Sequence, residues 1–254
     1  MALDYTEVTH TAAGKRIFGI WCVDDGAGPV TKPATPKINA AVTQFNTYLT
    51  APVYENLNGV ADSTSARLSV PLTMAAQANG VTVTMTDTHD HGSKSTSAAA
   101  SAGRWAYTGT GWIDNRIVAA PDYTVMQFSP NNVVRAWACV FTDVGDFDNS
   151  RLTYRLVDAN GAYIDWTPAT PYGTGSPYDG QGFFIGVRAS FAIAEVRFIY
   201  TGTENFIDQF GYTYYTAEIA SGVTALPAAP LPLSNIAAVA AARKRRKKLR
   251  RGCG

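Results

Sequence analysis

The chain has 254 residues, 46% of them hydrophobic and only 16% charged, with 22 Gly and 13 Pro. That composition excludes global disorder, which needs low hydrophobicity and high net charge, and it lacks the heptad bias of a coiled coil and the Gly-X-Y period of collagen. The formal charge of +1 hides a split: eight of the 21 basic residues fall between Arg243 and Arg251, and the remainder sets 13 basic against 20 acidic groups.

The segment from Met1 to Pro36 contains one predicted strand, Arg16 to Val23, followed by the turn Asp25-Gly26-Ala27-Gly28-Pro29. Thr35 is placed to cap a helix and Pro36 suits its first turn. Ile38, Val42, Phe45 and Leu49 then recur every three or four residues and make one apolar stripe. Beyond Ala51 the predicted elements are strands: Val81–Thr86, Tyr123–Phe128, Val133–Thr142, Arg151–Asp158, Ala162–Thr167, Gly182–Val187, Ile193–Thr201 and Asn205–Glu218. They are rich in β-branched and aromatic residues and are separated by turn clusters such as Ser129-Pro-Asn-Asn132 and Asp158-Ala-Asn-Gly161. Ser93 to Ala102 reads as a Ser/Ala-rich loop. Many short strands without intervening helices predict an all-β fold, an antiparallel β-sandwich of jelly-roll type with one short accessory helix.

The last thirty residues differ in kind. Leu226-Pro-Ala-Ala-Pro-Leu-Pro-Leu233 is a stiff linker of polyproline character, Ile236 to Ala242 is small and apolar, and Arg243 to Arg251 is the charge block. The expected organisation is an N-terminal strand and arm over 1–36, a sandwich over 37–222, and a linker with basic tail over 223–254.

Compartment signals are sparse. The Cys count is three, at positions 22, 139 and 253, which gives neither a disulfide framework nor a CxxC pattern. Cys22 and Cys139 sit in apolar runs and read as buried thiols; Cys253 sits in the basic tail. The start, Met-Ala-Leu-Asp-Tyr-Thr-Glu, carries no basic n-region or apolar h-region. The expectation is a cell-surface or extracellular location if a leader was removed, and otherwise a virion or the cytoplasm.

Two stretches carry a family resemblance: Gly103-Arg-Trp with Trp112-Ile-Asp-Asn115, and Trp137-Ala-Cys-Val-Phe-Thr-Asp-Val-Gly-Asp-Phe147 followed by Arg151-Leu-Thr-Tyr-Arg-Leu. Gly182-Phe-Phe-Ile-Gly186 and Glu204-Asn-Phe-Ile-Asp-Gln-Phe210 continue it, as does Tyr54-Glu-Asn-Leu-Asn-Gly59 after the helix. Over roughly residues 37–220 the chain resembles the β-sandwich ectodomains of PEP-CTERM proteins, the bacterial surface proteins sorted by exosortase. The tail is similar to that family's sorting signal in Leu231-Pro-Leu-Ser and the terminal basic cluster. Its seven apolar residues, 236 to 242, give about 10 Å of helix against a hydrocarbon core of ~30 Å, so as a sorting tail it is degenerate.

Catalytic signatures are scarce. There are three His, at positions 10, 89 and 91, and no Gly-x-Ser-x-Gly, His-Glu-x-x-His or phosphate-binding Gly-x-x-x-x-Gly-Lys loop. Asp87, His89 and His91 would share a face if the strand continued, a set that could hold a transition metal or simply form a solvated strand end. Asp143, Asp146 and Asp148 flank Gly145 in an oxygen-rich loop that suits a structural Ca²⁺ or a capped turn. The resemblance adds Asp208, in the family's closing strand, as a fourth ligand. No other cofactor is expected.

Tyr107, Trp112, Tyr172 and Tyr178, with Trp166, lie in or beside Gly/Pro/Ser loops and offer rings for stacking on a ligand. Core packing is the competing role, favoured for Trp112 and Trp137. The basic residues Arg243, Lys244, Arg245, Arg246, Lys247, Lys248, Arg250 and Arg251 suit phosphates or an anionic membrane surface; with no aromatic interleaved, nucleic-acid binding would be sequence-blind. Three functions stay open. The first is a non-catalytic surface module binding glycan or a neighbouring subunit, itself included as a homo-oligomer. The second is a virion structural protein whose tail contacts nucleic acid. The third is a glycan-active hydrolase on the same sandwich.

Overall fold

A two-residue turn opens the fold. Strand β1 (Thr6–Ala12) passes into β2 (Lys15–Asp24) through Ala13 and Gly14, whose φ angles of 50° and 75° are the pair of positive values that a type I′ hairpin turn demands. The computed structural model describes residues 5–24, 34–49, 52–54, 72–73, 80–87, 93–95, 105, 107, 112–117, 123–142, 152–168, 181–200 and 208–218.

The helix α1 (Pro36–Asn46) buries Ile38, Val42 and Phe45 of the predicted stripe together with Ala41, while Leu49, the fourth predicted member, lies past the helix end and is partly buried. Its cap differs from expectation. Thr35 makes no side-chain capping bond; the carboxylate of Asp24, at the end of β2, accepts from Ile38 N at 2.7 Å and Lys37 N at 3.2 Å. A buried anion thus sits at the positive end of the helix dipole.

The remaining strands are β3 (Pro52–Tyr54), β4 (Leu72–Thr73), β5 (Thr82–Asp87), β6 (Ser93–Ser95), β7 (Trp112–Ile117), β8 (Tyr123–Ser129), β9 (Val134–Thr142), β10 (Leu152–Val157), β11 (Tyr163–Trp166), β12 (Gly182–Ala189), β13 (Glu195–Tyr200) and β14 (Asp208–Glu218). One sheet runs β1-β2-β12-β9-β14-β7-β6, with β3 also paired to β14; the second runs β11-β10-β13-β8-β5-β4. The strand expected at Arg16–Val23 therefore lies inside the first sheet, between β1 and β12. The expected loop at Ser93–Ala102 begins with β6, which pairs with β7.

The eight strands from β7 to β14 pair in nested fashion: β7 with β14, β8 with β13, β9 with β12, and β10 with β11, all antiparallel. A long hairpin folded about the Asp158–Gly161 turn and wrapped over itself is the jelly roll. Residue order thus confirms the sandwich, and β1–β6 extend its sheets.

Two apolar clusters flank the first sheet. Between the sheets lie Trp137, Cys139 and Phe141 of β9 and Phe183, Ile185 and Val187 of β12, facing Met126, Tyr154, Leu156, Ile164, Val196 and Phe198 from the second sheet. On the opposite side Ile20, Cys22, Ala136, Ala138, Val140 and Phe184 meet α1 and Trp105. Strands β9 and β12 are therefore covered on both faces, which explains their uninterrupted apolar sequences. Close approach of α1 needs two glycines: a Cβ on Gly182 would lie 2.7 Å from Ile38 Cδ1, and one on Gly186 would lie 2.9 Å from Phe45 Cδ2. Cys22 and Cys139 are buried on opposite faces of the sheet, and burial pushes the Cys139 thiol well up.

Candidate binding groove

The helix layer covers the outer face of the first sheet, and among the described residues no element packs on the outer face of the second. Alternation fixes what that face carries. Tyr154, Leu156, Ile164, Trp166, Val196 and Phe198 point inward, so their neighbours Thr153, Arg155, Val157, Tyr163, Asp165, Thr167, Glu195 and Arg197 point outward. Strand register then sets these side chains in rows. Thr84, Gln127, Glu195, Val157 and Tyr163 lie opposite one another across β5, β8, β13, β10 and β11. The next row runs Thr86, Val125, Arg197, Arg155 and Asp165.

At one end of this face the sheet dips into an open groove of about 640 Å³. Thr84, Gln127, Glu195, Arg197 and Val157 line it, and the turns at Ser129–Asn131 and Asp158–Gly161 form its walls. Gln127 Nε2 donates to Glu195 Oε2 at 3.1 Å, while Glu195 Oε1 accepts from Arg197 Nε. Both carboxylate oxygens of Glu195 are thereby engaged.

The wall at Asp158 is equally committed. Its carboxylate pairs with Lys15 Nζ, whose ammonium also lies 4.1 Å above the Phe191 ring, and accepts from Asn160 N at 2.8 Å and Ala162 N at 3.0 Å. The Lys15 bond, ahead of these backbone donors, holds the Asp158 carboxyl below its usual range. Beyond the groove, Asp165 takes the Arg155 guanidinium in a two-pronged pair at 2.7 and 2.8 Å, which raises an already high pKa. That guanidinium lies 3.9 Å over the ring of Tyr163.

Of the residues predicted from sequence, Tyr107, Trp112, Trp137, Trp166 and Asp208 lie within the described residues. Tyr107 is half-buried against the helix-side cluster, and its hydroxyl donates to Asn39 Oδ1 of α1 at 2.9 Å, so it ties its segment to the helix. Trp112 begins β7 opposite Ser95. Trp166, expected beside an exposed loop, is instead buried at 6% exposure, because the inward parity of β11 carries its ring across to Gly19. Trp137 is in the core, its ring tilted 41° against that of Phe198 with centroids 5.6 Å apart. Asp208 opens β14 opposite Ile117. Tyr172, Tyr178, Asp143, Asp146, Asp148, His89, His91 and the basic residues from Arg243 to Arg251 lie outside the described residues. Among those described, no group of three His, Cys, Asp or Glu side chains could hold a metal ion, and no helix is long and apolar enough to cross a membrane.

Sequence reasoning missed the groove residues Gln127, Glu195 and Arg197. The available signal was the polar parity of β8, β10, β11 and β13, which marks a solvent face of any sheet.

No family model matches the chain, and no curated protein matches it. Among solved structures, it is similar to the K2 cleaved adhesin domain of Lys-gingipain at 10% identity and a TM-score of 0.40, over 67% of this chain and 99% of that one. It is also similar to the C-terminal family 22 carbohydrate binding module of Clostridium thermocellum Xyn10B, at 15% identity and a TM-score of 0.30, over 56% of this chain and 88% of that one.

Proposed function

We propose that this chain is a non-catalytic binding module and that its groove takes an uncharged, hydroxyl-rich glycan. The charge balance of the groove face carries this reading. Glu195 is paired with Arg197, Asp158 with Lys15 and Asp165 with Arg155, so three acids cancel three bases on one open surface. A polyanion or polycation would meet no net attraction there. Amide, carboxylate, guanidinium and hydroxyl groups held in fixed positions are the donors and acceptors that sugar hydroxyls require.

The same pairings argue against glycoside hydrolysis. A glycosidase needs one protonated and one ionised carboxyl facing each other across the scissile bond. Asp158 is held in its ionised form, and both oxygens of Glu195 already accept hydrogen bonds.

The test is affinity electrophoresis of the full chain in gels containing neutral polysaccharides, with polygalacturonate as the anionic comparison. Retardation by at least one neutral polymer, lost in Gln127→Ala and in Glu195→Gln, is expected, with no reducing ends released on long incubation. Free migration of the wild type in every neutral gel, or retardation by the polyanion alone, would overturn the reading.

A further inference from the structure

We infer that the ligand is an extended chain laid perpendicular to the strands, with Tyr163 as a stacking platform at the far end of its path; this rests on the glycan reading above. The row Thr84–Gln127–Glu195–Val157–Tyr163 crosses five neighbouring strands, a path of roughly 19 Å at ~4.8 Å per strand spacing. A pyranose unit advances a glycan by about one strand spacing, so this row suits an oligosaccharide better than a single sugar. The groove is open, and Val157 lines it on the side of β10, one strand from the sheet edge at β11. A chain can therefore continue outward from the groove over Val157.

Tyr163 stands where that path leaves the sheet. At 47% exposure it is the one exposed large hydrophobic side chain among the described residues. It is also held in place. Asp165 fixes the Arg155 guanidinium through two parallel hydrogen bonds along one edge, and that guanidinium covers one face of the Tyr163 ring at 3.9 Å. The ring's remaining exposed surface is oriented before any ligand arrives, which limits the entropy lost on binding. Sugar rings present apolar C–H faces to such a surface.

Titration calorimetry with neutral β-linked gluco-, xylo- and manno-oligosaccharides of two to six units tests this. Affinity is expected to rise with length up to about four units. Tyr163→Ala should remove about tenfold of affinity for the four-unit ligand and leave the two-unit ligand unchanged, while Tyr163→Phe keeps the wild-type length dependence. Thermal melts of both variants report on folding, and an exposed position should leave them near wild type. Affinity independent of length, or an equal loss for short and long ligands in Tyr163→Ala, would overturn the extended path while leaving the groove reading intact. Absence of binding to every oligosaccharide by the wild type would overturn both.

Discussion

The six-membered ring of Trp166 occupies the space that a side chain on Gly19 would fill: an added Cβ would lie 2.4 Å from Cη2 and 2.8 Å from Cζ2 and Cζ3. The contact bolts the edge strand β11 of one sheet onto β2 of the other. Two effects of Gly19→Ala oppose each other. Replacing glycine in a strand gains roughly 0.5–1 kcal/mol of backbone entropy. Forcing a methyl into a closed core costs roughly 1–3 kcal/mol and more where the obstacle is a rigid indole. The clash should win, with a net loss of about 2 kcal/mol in urea unfolding. In a Trp166→Ala background, itself down by about 3–5 kcal/mol, Gly19→Ala should be neutral or slightly stabilising. Additive losses would show that the two residues are not coupled.

The helix cap gives a second test. Asp24→Ala should cost about 1–2 kcal/mol, at the upper end for a cap because the carboxylate is buried. Asp24→Asn should fall between, keeping an acceptor but losing the charge at the helix N-terminus. Thr35→Ala should cost under about 0.5 kcal/mol, since its hydroxyl caps nothing. A larger loss for Thr35→Ala than for Asp24→Ala would return the cap to its expected place.

Acid should weaken the fold through Asp158. Its folded carboxyl titrates below the ordinary value of 3.8, so as pH falls the unfolded chain takes up this proton first. The stabilisation is complete at neutral pH, begins to fade as pH drops through 3.8, and is lost once the lower folded value is passed. The difference in urea midpoint between wild type and Asp158→Asn should be constant from pH 7 to about 5 and shrink below 4. A difference that grows in acid would reverse the sign of this argument.

The basic tail calls for a separate measurement. Size-exclusion chromatography with light scattering and absorbance at 260 and 280 nm should compare the full chain with a truncation ending at Val223. We expect any nucleic acid to be tail-borne: absent from the truncation, and released from the full chain with a steep dependence on salt. Groove affinity for neutral polysaccharide should not change on truncation. A large ordered assembly carrying nucleic acid would favour a virion role over the surface module.

Strands with dense apolar content, such as β9 and β12, were legible because covering both faces removes the need for polar residues. The helix stripe was legible because its period is local. Strand β1 was not: Thr6-Glu-Val-Thr-His-Thr-Ala12 mixes polar residues that suit a sheet edge and equally suit a loop. Strand β7 was hidden by Asp114 and Asn115, which are depleted in strands. The cap at Asp24 and the Gly19–Trp166 fit escaped because their partners lie far apart in the chain. The groove escaped for the same reason, since Thr84, Gln127, Val157 and Glu195 come from four strands and form no motif.

The pairing of β2 with β12 has a temporal consequence during synthesis. Strand β2 hydrogen-bonds with β12, so the apolar run Ile17-Phe-Gly-Ile-Trp-Cys-Val23 waits for residues 182–189 to be made. At 5–20 residues per second, that wait lasts roughly 10–30 s. Over this interval the β1–β2 hairpin can already form, so Thr6–Ala12 shields one edge of the nascent strand and leaves the other bare. A ribosome-bound chain halted before residue 182 should therefore recruit holding chaperones or aggregate, and one halted well after 189 should not.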